Sequence, residues 1–194
     1  MSGAQTETPT TVVARALALA AKGVPVFPCR NANKAPCHSG GFHTATTDPE
    51  RIREAFAHPG AALIGVPTGA VSGFDVLDLD PRNGSDAWWT ANERRIPVTL
   101  IHETRSGGKH MLYQHSPLMK CGTDKPAPGC DIRTTGGYII WWPAHDYPVW
   151  LDWDIEPWPT WLLDSITAAG GTRSARKPGA KSSTRGRTAS PEAV

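Results

Sequence analysis

An α+β fold is predicted by three features of this sequence. Stretches of helical composition with recognisable ends occur at residues 12–22, 48–56, 86–95 and 159–166. Strand-like runs lie between them and pair with near neighbours: 61–66 with 74–80 across a Pro-Thr-Gly turn, and 98–104 with 110–114 across Arg105-Ser-Gly-Gly-Lys109. Such local hairpins imply antiparallel sheet with helices beside it. Finally, 194 residues suffice for one sizeable core, and the composition changes near residue 169, so one domain plus a tail is expected.

The apolar fraction of 39% and charged fraction of 20% are those of a soluble globular protein, while 19 Gly and 18 Pro predict many turns. No apolar run approaches the roughly 18 residues of a membrane span, and no basic start precedes an apolar stretch at the N-terminus. A cytoplasmic protein without a membrane partner is expected. The formal charge of +2 is unevenly spread. Residues 171–194 hold six Lys or Arg against Glu192, a local +5, so the remaining 170 residues carry fourteen basic and seventeen acidic side chains, a net −3. Bulk charge therefore excludes a generally basic nucleic-acid binder in the folded part. The segment 169–194, rich in Ser, Thr, Gly and Pro, cannot bury enough surface to fold and reads as a basic flexible tail or linker, able to make loose phosphate contacts.

Residues 1–9 are expected to be disordered, with the folded domain spanning 10–168. The first helix runs from Val12 to Lys22, rich in Ala and Leu, with Thr10 or Thr11 to cap it and Gly23 to end it. Val24-Pro-Val-Phe-Pro28 reads as an edge strand, because its prolines cannot donate to a ladder. The loop 29–47 holds Cys29, Lys34, Cys37, His38 and His43. A structural zinc is one reading of these ligand types, with Cys121 and Cys130 able to contribute, but their spacing fits no standard zinc finger and reduced thiols are the plainer reading. Lys34 is either a phosphate contact or simply solvated. Asp48-Pro49-Glu50 marks a helix start, with Ile52 and Phe56 on its inner face. The Gly65–Gly69 segment could let backbone approach a nucleotide, though turn duty alone explains its glycines.

The run Phe74-Asp-Val-Leu-Asp-Leu-Asp80 is the most informative. Strand alternation puts Val76, Asp78 and Asp80 on one face and Leu77 and Leu79 on the other. Like charges so close repel unless a cation or proton intervenes, so the pair is either a metal site or a strand end facing water. Asp86 or Ser85 can cap a helix through Trp88 and Trp89 to Arg95, which Pro97 ends. In the next hairpin the adjacent glycines let backbone approach anionic oxygens, Ser106 and Lys109 add donors, and His110 opens the following strand. Between Gly129 and Pro143, alternation sets Asp131 and Arg133 on one face and Ile132 on the other, either as site residues or as an internal ion pair. Pro159–Ile166 reads as a short amphipathic helix that closes the domain. The eight Trp read as core and rim ahead of base-stacking platforms.

Asp78, Asp80 and Asp131 together could hold one or two hard divalent cations through oxygen, and His110 with Arg133 could hold a triphosphate. The chemistry matching that set is two-metal nucleotidyl transfer.

The same residues resemble the bifunctional DNA primase/polymerase domain of the archaeo-eukaryotic primase superfamily. An apolar strand bearing Asp-x-Asp matches Val76 to Asp80, Ser-Gly-Gly-x-His matches Ser106 to His110, and an apolar residue before Asp matches Cys130-Asp131. Lesser features follow in order: Lys34-x-Pro36, Gly41-Phe42, Ala45 to Pro49, Gly65 to Gly69, and Arg133 with Gly136-Gly137. The resemblance implies a primase/polymerase fold in which an N-terminal αβ unit and an RNA-recognition-motif-like unit flank a central cleft. It implies Asp78, Asp80 and Asp131 as ligands of Mg2+ or Mn2+, and His110 and Arg133 as phosphate contacts, with Ser106, Lys109 and Lys34 as lesser ones. It further implies a single-stranded DNA template and NTP or dNTP as partners, a helicase region C-terminal to this domain in a longer protein, and a phage, plasmid or other mobile element in a bacterial host. Trp141-Trp142 departs from the small residues and proline common there. The rival readings are a non-catalytic module that holds single-stranded nucleic acid and a metal-dependent phosphodiesterase.

Overall fold

A computed structural model describes residues 11–152 and 154–171, so the expected disorder at 1–9 and the tail beyond Gly171 lie outside the described residues. Among the described residues, four α-helices and eight strands form a mixed fold with two antiparallel sheets. Helix α1 (Val12–Ala20) starts where Thr11 Oγ1 accepts the Ala14 amide at 3.3 Å, and α2 (Pro49–Phe56) where the Asp48 carboxylate accepts the Glu50 and Arg51 amides at 2.9 and 3.1 Å. Each cap satisfies N–H groups that the first helical turn leaves free.

Strands β1 (Phe27–Cys29), β2 (Leu63–Pro67) and β7 (Tyr138–Ile140) make a three-stranded sheet in the order β1-β2-β7. The five-stranded sheet has the order β6-β3-β5-β4-β8, from β3 (Phe74–Leu79), β4 (Ile101–Glu103), β5 (Lys109–Gln114), β6 (Cys130–Arg133) and β8 (Val149–Leu151). The expected hairpin of 61–66 with 74–80 is corrected: the two strands lie in different sheets. Both hydrogen-bonding edges of β2 are taken by β1 and β7, those of β3 by β5 and β6, and only an isolated bridge from Gly69 to Phe74 joins the pair. The turn between them is a crossing from sheet to sheet. Gly69, at φ +84°, passes so close to Thr135 that a Cβ would collide with it. The segment 129–143 makes the same crossing in reverse, from β6 to β7.

The hairpin of β4 with β5 forms as expected, though β4 is shorter than 98–104 because the Thr99 hydroxyl turns to the Leu112 carbonyl. Helix α3 (Ser85–Asn92) is corrected in its cap: neither Ser85 nor Asp86 serves, and Gly84 at φ +98° holds the position without a side-chain bond. The helix stops at Asn92 and passes into a 3-10 turn over Glu93–Arg95. Helix α4 (Thr160–Gly171) runs beyond the expected end at Ile166. Strand β8 has no counterpart in the sequence reading.

Strand β3 is buried on both faces, and its alternation sorts two cores. Phe74 and Val76 join α1, α2 and the three-stranded sheet through Ala16, Leu19, Ile52, Ile64 and Val66. Leu77 and Leu79 pack on the other side with Ile101, Met111, Ile132 and the α4 residues Leu162 and Ile166. Asp78 therefore belongs to the face that looks toward the three-stranded sheet.

Candidate active site

Antiparallel register converts the dispersed motifs into one row. Asp78 stands opposite Asp131 on β6 and opposite His110 on β5, and His102 on β4 stands opposite His110. Residues directly opposite share a face, so Asp131, Asp78, His110 and His102 cross four strands side by side. The carboxylate of Asp78 keeps a quarter of its surface exposed, 3.5 Å from His110 Nε2 and 4.0 Å from Arg133 Nε. Burial pushes its pKa up to about 6, against the opposing pull of Arg133 and Lys34. Burial also pushes His110 down to about 3, and the nearby Lys34 and Arg133 charges act in the same direction. At neutral pH His110 is an uncharged imidazole, with Nδ1 buried and without a hydrogen-bond partner among the described residues.

The other two acids are already engaged. Asp80 ends β3 and caps the short turn Pro81–Asn83: its carboxylate accepts Arg82 Nε at 3.0 Å, Arg82 Nη2 at 2.7 Å and Asn83 Nδ2 at 3.3 Å. The hydrogen bonds from Arg82 hold its pKa below the usual carboxylate value. Asp131 accepts Arg133 Nη2 at 2.6 Å and the Asp124 amide at 3.1 Å, so the internal ion pair allowed by the sequence is present.

Between the two sheets lies a cavity of about 360 Å³. Asp78, His110 and Arg133 reach it from the five-stranded sheet, Lys34 from the loop after β1, and Gly136, Gly137 and Tyr138 from the crossing into β7. Phe42, Asn33 and Trp142 complete the wall. Charged side chains and aromatic rings thus line it together, with Tyr138 6.0 Å from Phe42 and 5.3 Å from Phe27. Lys34 is held at φ +60°, a left-handed conformation that costs a side-chain-bearing residue about 1 kcal/mol or more. Its carbonyl accepts the Tyr138 hydroxyl at 3.3 Å, its ammonium lies 5.3 Å from the Trp142 ring centroid, and desolvation lowers its pKa.

The structure thus brings Lys34, Asp78, His110 and Arg133 to one cavity, with Asp80 and Asp131 on the same sheet face but turned to their arginines. It does not bring Ser106 or Lys109 there. Ser106 Oγ lies 3.2 Å from Thr104 Oγ1 within the hairpin turn. Lys109 falls on the opposite face from His110, its ammonium 4.0 Å over Trp150 and 4.7 Å over Trp89. Gly65 lies against the Phe27 ring and Gly69 against Thr135, which is turn and packing duty. Cys29 and Cys130 are core thiols pushed up to about 12 by burial. Asn33, Tyr138 and Trp142 were missed as site residues. Tyr138 had a readable signal, since it follows a Gly-Gly turn and alternates with the buried Ile139.

For a metal the donor chemistry fits. Three carboxylates on one sheet face are the hard oxygen donors that Mg2+ and Mn2+ accept, and the burial that hinders ionisation of Asp78 is relieved by a neighbouring cation. Asp80 and Asp131 would have to share oxygens now bound by Arg82 and Arg133, and among the described residues no three His, Cys, Asp or Glu stand together as a metal cluster.

No helix among the described residues is long and apolar enough to cross a membrane. No curated protein matches the chain. Residues 16–161, which span the cavity and every strand motif around it, match the family described as bifunctional DNA primase/polymerase, N-terminal. The chain belongs to the bifunctional DNA primase/polymerase family.

Proposed function

We propose that this chain catalyses template-directed nucleotidyl transfer, starting and extending primers on single-stranded DNA from NTPs or dNTPs. The observation that carries the reading is the meeting of Asp78, His110, Arg133 and Lys34 in one cavity between the sheets, in a chain of primase/polymerase family. Lys34 and Arg133 offer two fixed cations to the triphosphate. Neutral His110 adds a hydrogen bond from an imidazole N–H without further charge. The rings of Phe42 and Tyr138 suit the nucleoside end. Asp78, Asp80 and Asp131 would hold Mg2+ or Mn2+, which supplies charge compensation at the phosphates and acidifies the attacking primer hydroxyl. The folded part is net acidic, so template phosphates are offset locally by Lys and Arg side chains and by the metal rather than by a basic surface.

A labelled primer annealed to a template, and a bare template, are each incubated with NTPs or dNTPs and Mg2+ or Mn2+. Lengthened product that follows the template sequence supports the proposal. Shortening of the label would indicate a phosphodiesterase, and strand binding that neither needs metal nor yields product would indicate a non-catalytic binding module.

A further inference from the structure

Arg105 sits at the tip of the β4–β5 hairpin, 74 residues from Asn31 in the loop after β1, yet it donates from Nη1 to Asn31 Oδ1 at 2.6 Å and from Nη2 to the Asn31 carbonyl at 3.2 Å. The two bonds join the five-stranded sheet to the loop that carries Lys34. Both ends are stiff. The hairpin tip is stapled by Thr104, whose amide donates to the Gly108 carbonyl at 2.9 Å, whose carbonyl accepts the Gly107 amide at 2.9 Å, and whose hydroxyl accepts the Gly108 amide at 3.1 Å. A Cβ on Gly108 would strike the Leu79 carbonyl, so the tip lies flat against the end of β3. In the loop, the Lys34 amide donates to Arg30 O at 3.0 Å and the Ala35 amide to Asn33 Oδ1 at 3.0 Å. The Arg105 guanidinium and the Lys34 ammonium each lie 5.3 Å from the centroid of Trp142, a ring that is 1% exposed. Two cations thus share one aromatic side chain, and Arg105 itself does not line the cavity.

We propose that Arg105 is a positioning residue that holds the Lys34 loop in its left-handed turn, through Asn31 and against Trp142, so that the Lys34 ammonium is preset for the anionic end of a nucleoside triphosphate. The proposal rests on reading the cavity as the triphosphate site. A surface hydrogen bond contributes little by itself, but one that fixes a loop across two sheets removes motion that the ligand would otherwise have to arrest.

The test titrates dATP with Mg2+ into the wild type, Lys34→Ala, Arg105→Ala, Asn31→Ala, Asp78→Asn and the Lys34→Ala/Arg105→Ala double variant, with amide hydrogen exchange followed over residues 30–36. Arg105 and Asn31 are exposed, so folding of their variants is not at risk. Arg105→Ala and Asn31→Ala are each expected to weaken binding about tenfold and to speed exchange in the loop, while Arg105→Ala adds no loss once Lys34 is gone. Wild-type affinity in Arg105→Ala beside lost affinity in Lys34→Ala would overturn the proposal, and so would additive losses, which would make Arg105 an independent contact. Unchanged binding in both Lys34→Ala and Asp78→Asn would instead remove the triphosphate reading of the cavity, and this proposal with it.

Discussion

Asp78 and Asp80, two residues apart on one strand face, live in opposite electrostatic circumstances. Asp78 is three-quarters buried and protonates near pH 6, whereas Asp80 is held ionised by Arg82. Their contributions to stability should therefore have opposite signs. A carboxyl whose folded pKa lies above its unfolded value binds more protons when folded, so stability falls as pH rises from about 4 to 6. Asp78→Asn is expected to raise stability at pH 7 in chelator by about 2 kcal/mol, with the gain vanishing near pH 4, while abolishing synthesis. Urea unfolding at both pH values checks this. Asp80→Ala removes a cap and should cost about 1 kcal/mol in the same assay. The sequence showed both acids and their shared face. Strand period also allowed the Asp131–Arg133 ion pair, but it could not show that Arg82 would claim Asp80, because that contact depends on turn geometry beyond the strand end.

At the scale of elements, β3 is the member on which both cores and the site depend. Its even positions pack toward the three-stranded sheet and its odd ones toward α4. Asp75, an odd position, is fully buried and clamps the second core: its carboxylate accepts His115 Nδ1 at 2.8 Å, the Ser116 amide at 2.9 Å, Trp158 Nε1 at 3.2 Å and the Thr134 hydroxyl. Asp75→Ala would strand these donors in the interior and is expected to cost about 3–5 kcal/mol, measured by urea unfolding. Asp75 was not singled out in the sequence, although alternation sets it on the same inward face as Leu77 and Leu79. Helix starts were legible, since Thr11 and Asp48 cap through their own side chains. The capping of α3 was not, because Gly84 acts through its backbone and leaves Ser85 and Asp86 as decoys. The motif strands were found, but the partner of 61–66 was not. A short turn between two apolar runs reads as a hairpin, and only the filled edges of β2 and β3 reveal a crossing between sheets.

At the scale of the whole molecule, the two sheets share a core and the cavity lies between them, so groups from residues 33 to 142 converge on a site that no local segment contains. The same burial sets the acid response. His102 and His110 are both pushed down to about 3, so the unfolded chain binds more protons than the folded one between about pH 6.5 and 3, and stability should fall as pH drops through that window. Asp78 works against this between about 6 and 4. His102→Gln is therefore expected to flatten the acid slope of the thermal midpoint in chelator, and an unchanged slope would mean that His102 is solvated. The proposed polymerising site is built on Asp78 and its neighbours. It is tested most directly by single-nucleotide extension of a primer opposite each of the four template bases, comparing wild type with Asp78→Asn at a temperature where both are folded. Addition of the complementary nucleotide by the wild type in Mg2+ or Mn2+ and none by the variant is expected; matched extension by both proteins would rule out a polymerising site at Asp78.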